Sequence, residues 1–128
     1  MPLVMHKNIP GLMALKEQGQ EILSLKRARS QDIRALHIGL LNMMPDAALS
    51  VTEQQFLRLL GNCNQIVQIF VHIFTVPGIQ RNESAQSYIN EYYSKFEDIK
   101  EHGLDALIIT GANVSNPNLE EEAFWEPL

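Results

Sequence analysis

Apolar residues along this chain follow two rhythms. Uninterrupted runs of branched side chains alternate with stretches in which apolar residues recur every three or four positions, the patterns of buried strands and of amphipathic helices respectively. Residues 104–112 hold the clearest run, and Ala106, Leu107, Ile108 and Ile109 within it read as a short strand covered on both faces, as in a parallel sheet flanked by helices. A second run spans 35–41, ending in the turn residues Asn42, Met43, Met44, Pro45 and Asp46. A third spans 66–76, with Gln68 and His72 interposed and Pro77 and Gly78 closing it.

The intervening stretches read as helices. Thr52 and Gln55 stand at capping-box spacing, and Phe56, Leu59 and Leu60 continue an apolar face that ends before Gly61. Tyr88, Ile89, Tyr92 and Tyr93 mark a helix over 84–95 whose aromatic stripe packs on a sheet, and 96–102 forms a further turn that Gly103 stops. Residues 119–125 suggest a last helix, with Glu120, Glu121 and Glu122 in its first turn. Residues 1–34 have no strong period, beyond a short helix near Leu12, Leu15 and Lys16 and an apolar patch at Ile22, Leu23 and Leu25.

Strands alternating with helices predict an α/β fold with a mostly parallel sheet and right-handed crossovers. The expected organisation is an N-terminal arm with a short helix over 1–34, followed over 35–128 by the N-terminal part of a larger α/β domain. Three strands leave a sheet edge open, where about five to six strands are usual.

A chain of 128 residues, 45% hydrophobic and 20% charged, has the composition of one globular domain. Its net charge of −5 argues against nucleic-acid and anionic-membrane partners. The small basic cluster Lys26, Arg27, Arg29 and Arg34 reads as a solvated arm. The one cysteine, Cys63, has no internal disulfide partner and points to a reducing cytoplasm. No apolar stretch approaches the ~20 residues of a membrane span, and residues 1–10 lack a secretion-signal core, so a cytoplasmic location is expected.

In an open parallel sheet, ligands bind beyond the carboxyl ends of the strands, which selects the loops 42–51 and 110–119. Gly111 allows a sharp turn and close approach of backbone amides to a ligand, although the dipeptide Thr110–Gly111 alone is more often a plain strand-to-loop turn. Cys63, within Gly61, Asn62, Cys63, Asn64 and Gln65, falls between a helix end and a strand start, at the sheet end opposite the site, and lacks the setting of a nucleophile elbow. The histidines are scattered without metal-ligand spacing, and His37 and His72, inside strands, read as hydrogen-bonded core residues. No catalytic residue and no metal site is legible.

Four ordered blocks carry a resemblance: 33–45 (Ile-Arg-Ala-Leu-His-Ile-Gly-Leu-Leu-Asn-Met-Met-Pro), 52–60 (Thr-Glu-Gln-Gln-Phe-Leu-Arg-Leu-Leu), 96–99 (Phe-Glu-Asp-Ile), and 105–112 (Asp-Ala-Leu-Ile-Ile-Thr-Gly-Ala) with Trp125 downstream. Together they closely resemble the homoserine O-succinyltransferase family. The resemblance implies a three-layer, flavodoxin-like fold of the class I glutamine amidotransferase kind. It implies transfer of a succinyl or acetyl group from acyl-CoA to the hydroxyl of L-homoserine, on the route to methionine, with no cofactor beyond the acyl-CoA substrate. In the family a cysteine becomes an acyl-thioester and a histidine and a glutamate complete the triad, all three at positions beyond residue 128. The resemblance places Gly111, Ala112, Asn113, Val114 and Ser115 in an acyl-CoA and oxyanion loop, has Asn42, Met43, Pro45, Thr52 and Glu53 line the pocket, and leaves room for a homodimer of the full-length enzyme. The chain departs from the family where Asp46 and Ala47 replace a lysine pair and Asn113 replaces a proline, and Ser115 stands at the position tied to donor choice. These departures keep L-serine open as acceptor. A truncated module pairing with another chain is the second class of reading.

Overall fold

A computed structural model describes residues 3–31, 34–63 and 66–128 of the chain. Ile33, in the first block above, and Asn64 and Gln65, after Cys63, lie outside the described residues. The three predicted strands form one parallel sheet: β3 (Ala35–Leu41) lies between β4 (Gln68–Phe74) and β5 (Ala106–Ile109). Ile38 stands level with Val71 on one side and Ala106 on the other.

Because successive strand residues point to opposite faces, this register sorts the side chains. Ile38 and Leu40 of β3, Ile69, Val71 and Ile73 of β4 and Ile108 of β5 share the first face. They pack with Leu12 and Leu15 of α1 (Pro10–Glu17), Leu49 and Leu57 of α3 (Leu49–Asn62), and Ile89 of α4 (Glu83–Tyr92) with Tyr93 just beyond it. On the second face Leu41 and Phe74 pack with Ile99 of α5 (Phe96–His102), beside Leu104 and Phe124. Helices on both faces of a parallel sheet fit a flavodoxin-like fold. No helix among the described residues is long and apolar enough to cross a membrane.

The N-terminal segment belongs to the same core. A two-stranded parallel ribbon, β1 (Val4–Met5) with β2 (Leu23–Ser24), is joined to β4 by a bridge from Leu3 to Ile69, and Leu3, Ile9, Leu12 and Leu15 are buried. Ser24 accepts from the Arg27 amide at 3.2 Å and starts α2 (Leu25–Arg29), which turns Lys26, Arg27 and Arg29 to solvent while Ala28 is buried.

Three expectations need correction. Thr52 does not cap α3: a 3-10 turn at Asp46–Ala48 leads into a helix that starts at Leu49, so Thr52 is a buried residue of its first turn, and Gly61 lies inside the helix. The predicted final helix is only a 3-10 turn at Leu119–Glu121. Most consequential, β5 is not covered on both faces, since Ala106, Leu107 and Ile109 are exposed. Gly103, in contrast, ends α5 as read, at φ +74°, a conformation glycine adopts without strain.

Candidate functional site

The two candidate loops leave the carboxyl ends of β3 and β5 side by side and are stitched together there. Asn42 N donates to Phe74 O at 2.8 Å and Thr110 N to Leu41 O at 3.0 Å. The Thr110 hydroxyl accepts from Met43 N at 2.8 Å and donates to Gly111 O at 2.9 Å. A cleft of about 720 Å³ opens above this seam, walled by both loops, by the turn at 78–80 after β4, and by 121–124. Gly78 makes the last contact close: at φ +95°, a Cβ there would stand 2.9 Å from Ala123 O.

Five of the expected site residues line this cleft: Met43, Pro45, Ala112, Asn113 and Ser115. The others stand elsewhere. Gly111 and Val114 are exposed outside its lining, and Asn42, Thr52 and Glu53 are buried behind it. Gly111 has no positive φ and nothing within 4 Å of a built Cβ, so the turn does not require glycine there. The Ser115 amide does not face the cleft as a donor, because Glu122 Oε1 accepts from Ser115 N at 2.7 Å and from Asn116 N at 2.8 Å. The amides of residues 111–114 have no acceptor among the described residues.

Behind the cleft lies a polar network that the sequence reading missed. Glu53 is fully buried, and its carboxylate accepts from Tyr88 Oη at 3.1 and 2.9 Å and from Tyr93 Oη at 3.2 Å. The Gly11 amide is a further donor to it. Asn42 Nδ2 donates to Tyr93 Oη and to Leu49 O, each at 3.0 Å, while Asn42 Oδ1 accepts from Met44 N at 3.2 Å. The network thus ties α1, α3 and α4 to the first cleft loop. Burial pushes the Glu53 carboxyl above its ordinary value, against the pull of the Tyr88, Tyr93 and Gly11 donors. Burial and the Glu53 charge likewise raise both tyrosines. A signal did exist in the sequence: Glu53 lies four residues from both Leu49 and Leu57, on the buried stripe of its helix.

Arg81 is the second unread feature. Its side chain is only 3% exposed; Nη1 donates to Met44 O and, at 3.2 Å, to Asp46 Oδ1, and Nη2 reaches Thr75 Oγ1 at 3.4 Å. Asp46 Oδ2 also accepts from Asn82 N at 2.9 Å, and that bond first, then Arg81, holds the Asp46 carboxyl below its ordinary value. Asp46 and Arg81 thus form an ion pair that fixes the 43–46 turn. The charged residues of the cleft lining are Asp46, Glu121 and Glu122, with no lysine or arginine among them.

Cys63 is exposed at the carboxyl end of α3, at the opposite end of the sheet. The histidines are not scattered in space. His37 Nδ1 and His72 Nε2 are 2.9 Å apart, and the His6 and His72 ring centroids are 4.9 Å apart. Among the described residues no three His, Cys, Asp or Glu side chains form a group able to hold a metal ion.

A family model described as homoserine O-succinyltransferase matches residues 2–128. Proteins named homoserine O-succinyltransferase from Methylobacter tundripaludum and Methylococcus capsulatus are 62% and 56% identical over the whole chain, which covers 36% of each. One from Thiobacillus denitrificans is 56% identical over the whole chain, which covers 37% of it. The chain therefore spans little more than a third of these relatives, with the cleft-side loops inside the matched region. By this match along its length, the chain belongs to the homoserine O-succinyltransferase family.

Proposed function

We propose that this chain forms the acceptor side of an O-acyltransferase pocket, in which the hydroxyl of L-homoserine takes an acyl group from acyl-CoA. One observation carries the placement of the acceptor: with Asp46 paired to Arg81, the cleft lining still holds Glu121 and Glu122 and no basic residue, a setting that favours the α-ammonium of an amino acid over an anion. Family membership supports the reaction class. The amides of residues 111–114 are the unengaged donors nearest the seam, suited to an oxyanion that develops on the acyl carbonyl. A succinyl carboxylate meets neutral donors in the Asn113 amide and Ser115 hydroxyl, and its cationic partner comes from outside this lining.

In this reading the family-length enzyme has a class I glutamine amidotransferase-like domain. Its nucleophile is a cysteine that becomes an acyl-thioester, assisted by a histidine and a glutamate, and Cys63 has no part in it. The product is the O-acyl ester of homoserine, on the route to methionine, made in the cytoplasm by an enzyme that acts as a homodimer. L-serine, which carries the same ammonium and hydroxyl one carbon closer together, is kept as the competing acceptor.

The test uses family-length enzyme that contains this segment. CoA thiol release is followed with succinyl-CoA and acetyl-CoA, with L-homoserine or L-serine. Homoserine-dependent release with succinyl-CoA is expected, and its absence with both donors overturns the reading. Ser115→Glu fills the cleft and repels a succinyl carboxylate, so it shifts the ratio of kcat/KM values towards acetyl-CoA by about one to two powers of ten. An unchanged ratio means that Ser115 does not face the acyl group.

A further inference from the structure

Away from the cleft, segments remote in sequence bring five basic side chains to one pocket. His6 and Lys7 come from the connection between β1 and α1, His72 from β4, and Lys95 and His102 from the start and end of α5. The pocket measures about 550 Å³, has Ile99 and Tyr93 in its wall, and includes one acidic residue, Asp98. Two lysines against one aspartate leave it positive before any histidine takes a proton, in a chain whose net charge is −5. That reversal of sign is local, because the acidic cleft shares none of these residues.

Lys7 Nζ donates to Tyr93 O at 3.4 Å, which leaves two N–H groups for a ligand. Asn90 also lines the pocket; its Oδ1 accepts from Gln86 at 2.9 Å, so its amide nitrogen remains a donor. His6 Nε2 lies 3.1 Å from Val71 O, and since a carbonyl only accepts, Nε2 carries the proton and Nδ1 is where a second one enters. His72 Nε2 is engaged with His37 Nδ1.

We propose that this pocket binds a phosphoryl-type anion, held by Lys7 and Lys95 together with the rings of His6, His72 and His102. The physical reason is mutual: an anion removes the repulsion among the histidines, and the histidines supply donors in proportion to their charge. Burial first, and then the neighbouring histidines, hold His72 down to about 4, while burial first lowers His6 against the pull of Val71 O. An anion reverses the like-charge part of both effects. The groups that face the pair are Lys7 beside His6, His37 on β3, Lys95, Asp98 and His102 on α5, and Asp98 opposes binding. Proton uptake on binding makes affinity rise as pH falls, by up to about tenfold per pH unit for each proton taken up. This inference stands apart from the acyl-transfer reading.

The probe is inorganic pyrophosphate, titrated into the protein at about pH 6 and about pH 8, across the range where histidine changes charge. Proton NMR of the histidine ring C–H signals reads the response, in sodium chloride of matched ionic strength. Saturable shifts of the His6, His72 and His102 signals are expected, with tighter binding at the lower pH. Lys7→Gln with Lys95→Gln, at a half-buried and an exposed position, weakens binding at least about tenfold by removing two charge-assisted contacts and leaves the thermal transition in place. A second arm replaces pyrophosphate with adenosine 3′,5′-bisphosphate: tighter binding through the same signals assigns the anion to a nucleotide, and equal or weaker binding to a free phosphate species. Shifts that sodium chloride reproduces, or affinity unchanged in the double variant, overturn the proposal.

Discussion

β3 and β5 are written in nearly the same alphabet and meet different fates. Leu40 of β3 is 0% exposed, whereas Leu107 and Ile109 of β5 are 48% and 51% exposed. The strands are hydrogen-bonded neighbours, so the difference is not one of propensity. β3 has a strand on either side, α3 and α4 over one face and α5 near its end on the other, while β5 pairs on one side only among the described residues. An apolar run states what a strand tolerates on its faces; which faces are covered depends on the elements beside it, and this chain spans little more than a third of its relatives.

Substitution of one leucine in each strand is the strongest way to break this contrast. Leu40→Ala is expected to cost about 2 to 5 kcal/mol by leaving a cavity, and Leu107→Ala less than about 1 kcal/mol. Urea unfolding midpoints measure both, and equal losses show that β5 is as covered in solution as β3. Next in size, Glu53→Ala, which strands two tyrosine hydroxyls and the Gly11 amide in the first-face core, is expected to cost about 2 to 4 kcal/mol.

The same residue gives a pH test. Since burial raises the folded-state carboxyl above its ordinary value of 4.5, the stabilisation it contributes is complete below that value. It is lost as pH rises through the folded-state value. Glu53→Gln does not titrate, so unfolding followed across this window shows the wild type losing ground to the variant as pH rises. Parallel curves mean that Glu53 folds already charged.

Arg81→Met removes the donor to Met44 O and the partner of Asp46, with an expected cost of about 1 to 3 kcal/mol. Faster hydrogen exchange at Asn82 N, which Asp46 Oδ2 holds, is its signature, with exchange in the centre of β3 unchanged. The smallest effect belongs to the β5 side. Asp105 Oδ2 accepts from His37 N at 2.8 Å, and Asp105→Asn keeps an oxygen there, so it is expected to cost less than about 1 kcal/mol. A larger loss makes that side chain the principal anchor of β5.

How much of this was legible follows the range of each interaction. The strand at Ala35–Leu41 and the stop at Gly103 depend on neighbours within a few residues, and both were readable. The start of α3 was misread because Thr52 and Gln55 match a capping box by spacing, while the chain's entry through Asp46–Ala48 decides the first turn. Both cleft loops were selected because each follows a strand, and the strand order that sets them side by side was not legible. Arg81 with Asp46, Glu122 with the amides of Ser115 and Asn116, and the histidine group join residues 35, 6 or 7, and 35 or more positions apart, and nothing in local pattern announces them. Glu53 was placed at the pocket by its motif and proves to stand behind it, supporting Asn42 through Tyr93.

The meeting of Gly11 with Glu53 has a consequence for divergence within the family. A Cβ at position 11 would stand 2.7 Å from Glu53 Oε1 and 2.9 Å from Leu57 Cδ1, so a longer residue there requires the ends of both side chains to shift or shorten. Shortening 53 in turn leaves the hydroxyls of Tyr88 and Tyr93 without their acceptor. Drift at position 11 is therefore tied to positions 53 and 57 and, through Glu53, to Tyr88 and Tyr93, so lineages that abandon glycine at 11 are expected to show compensating change among these four.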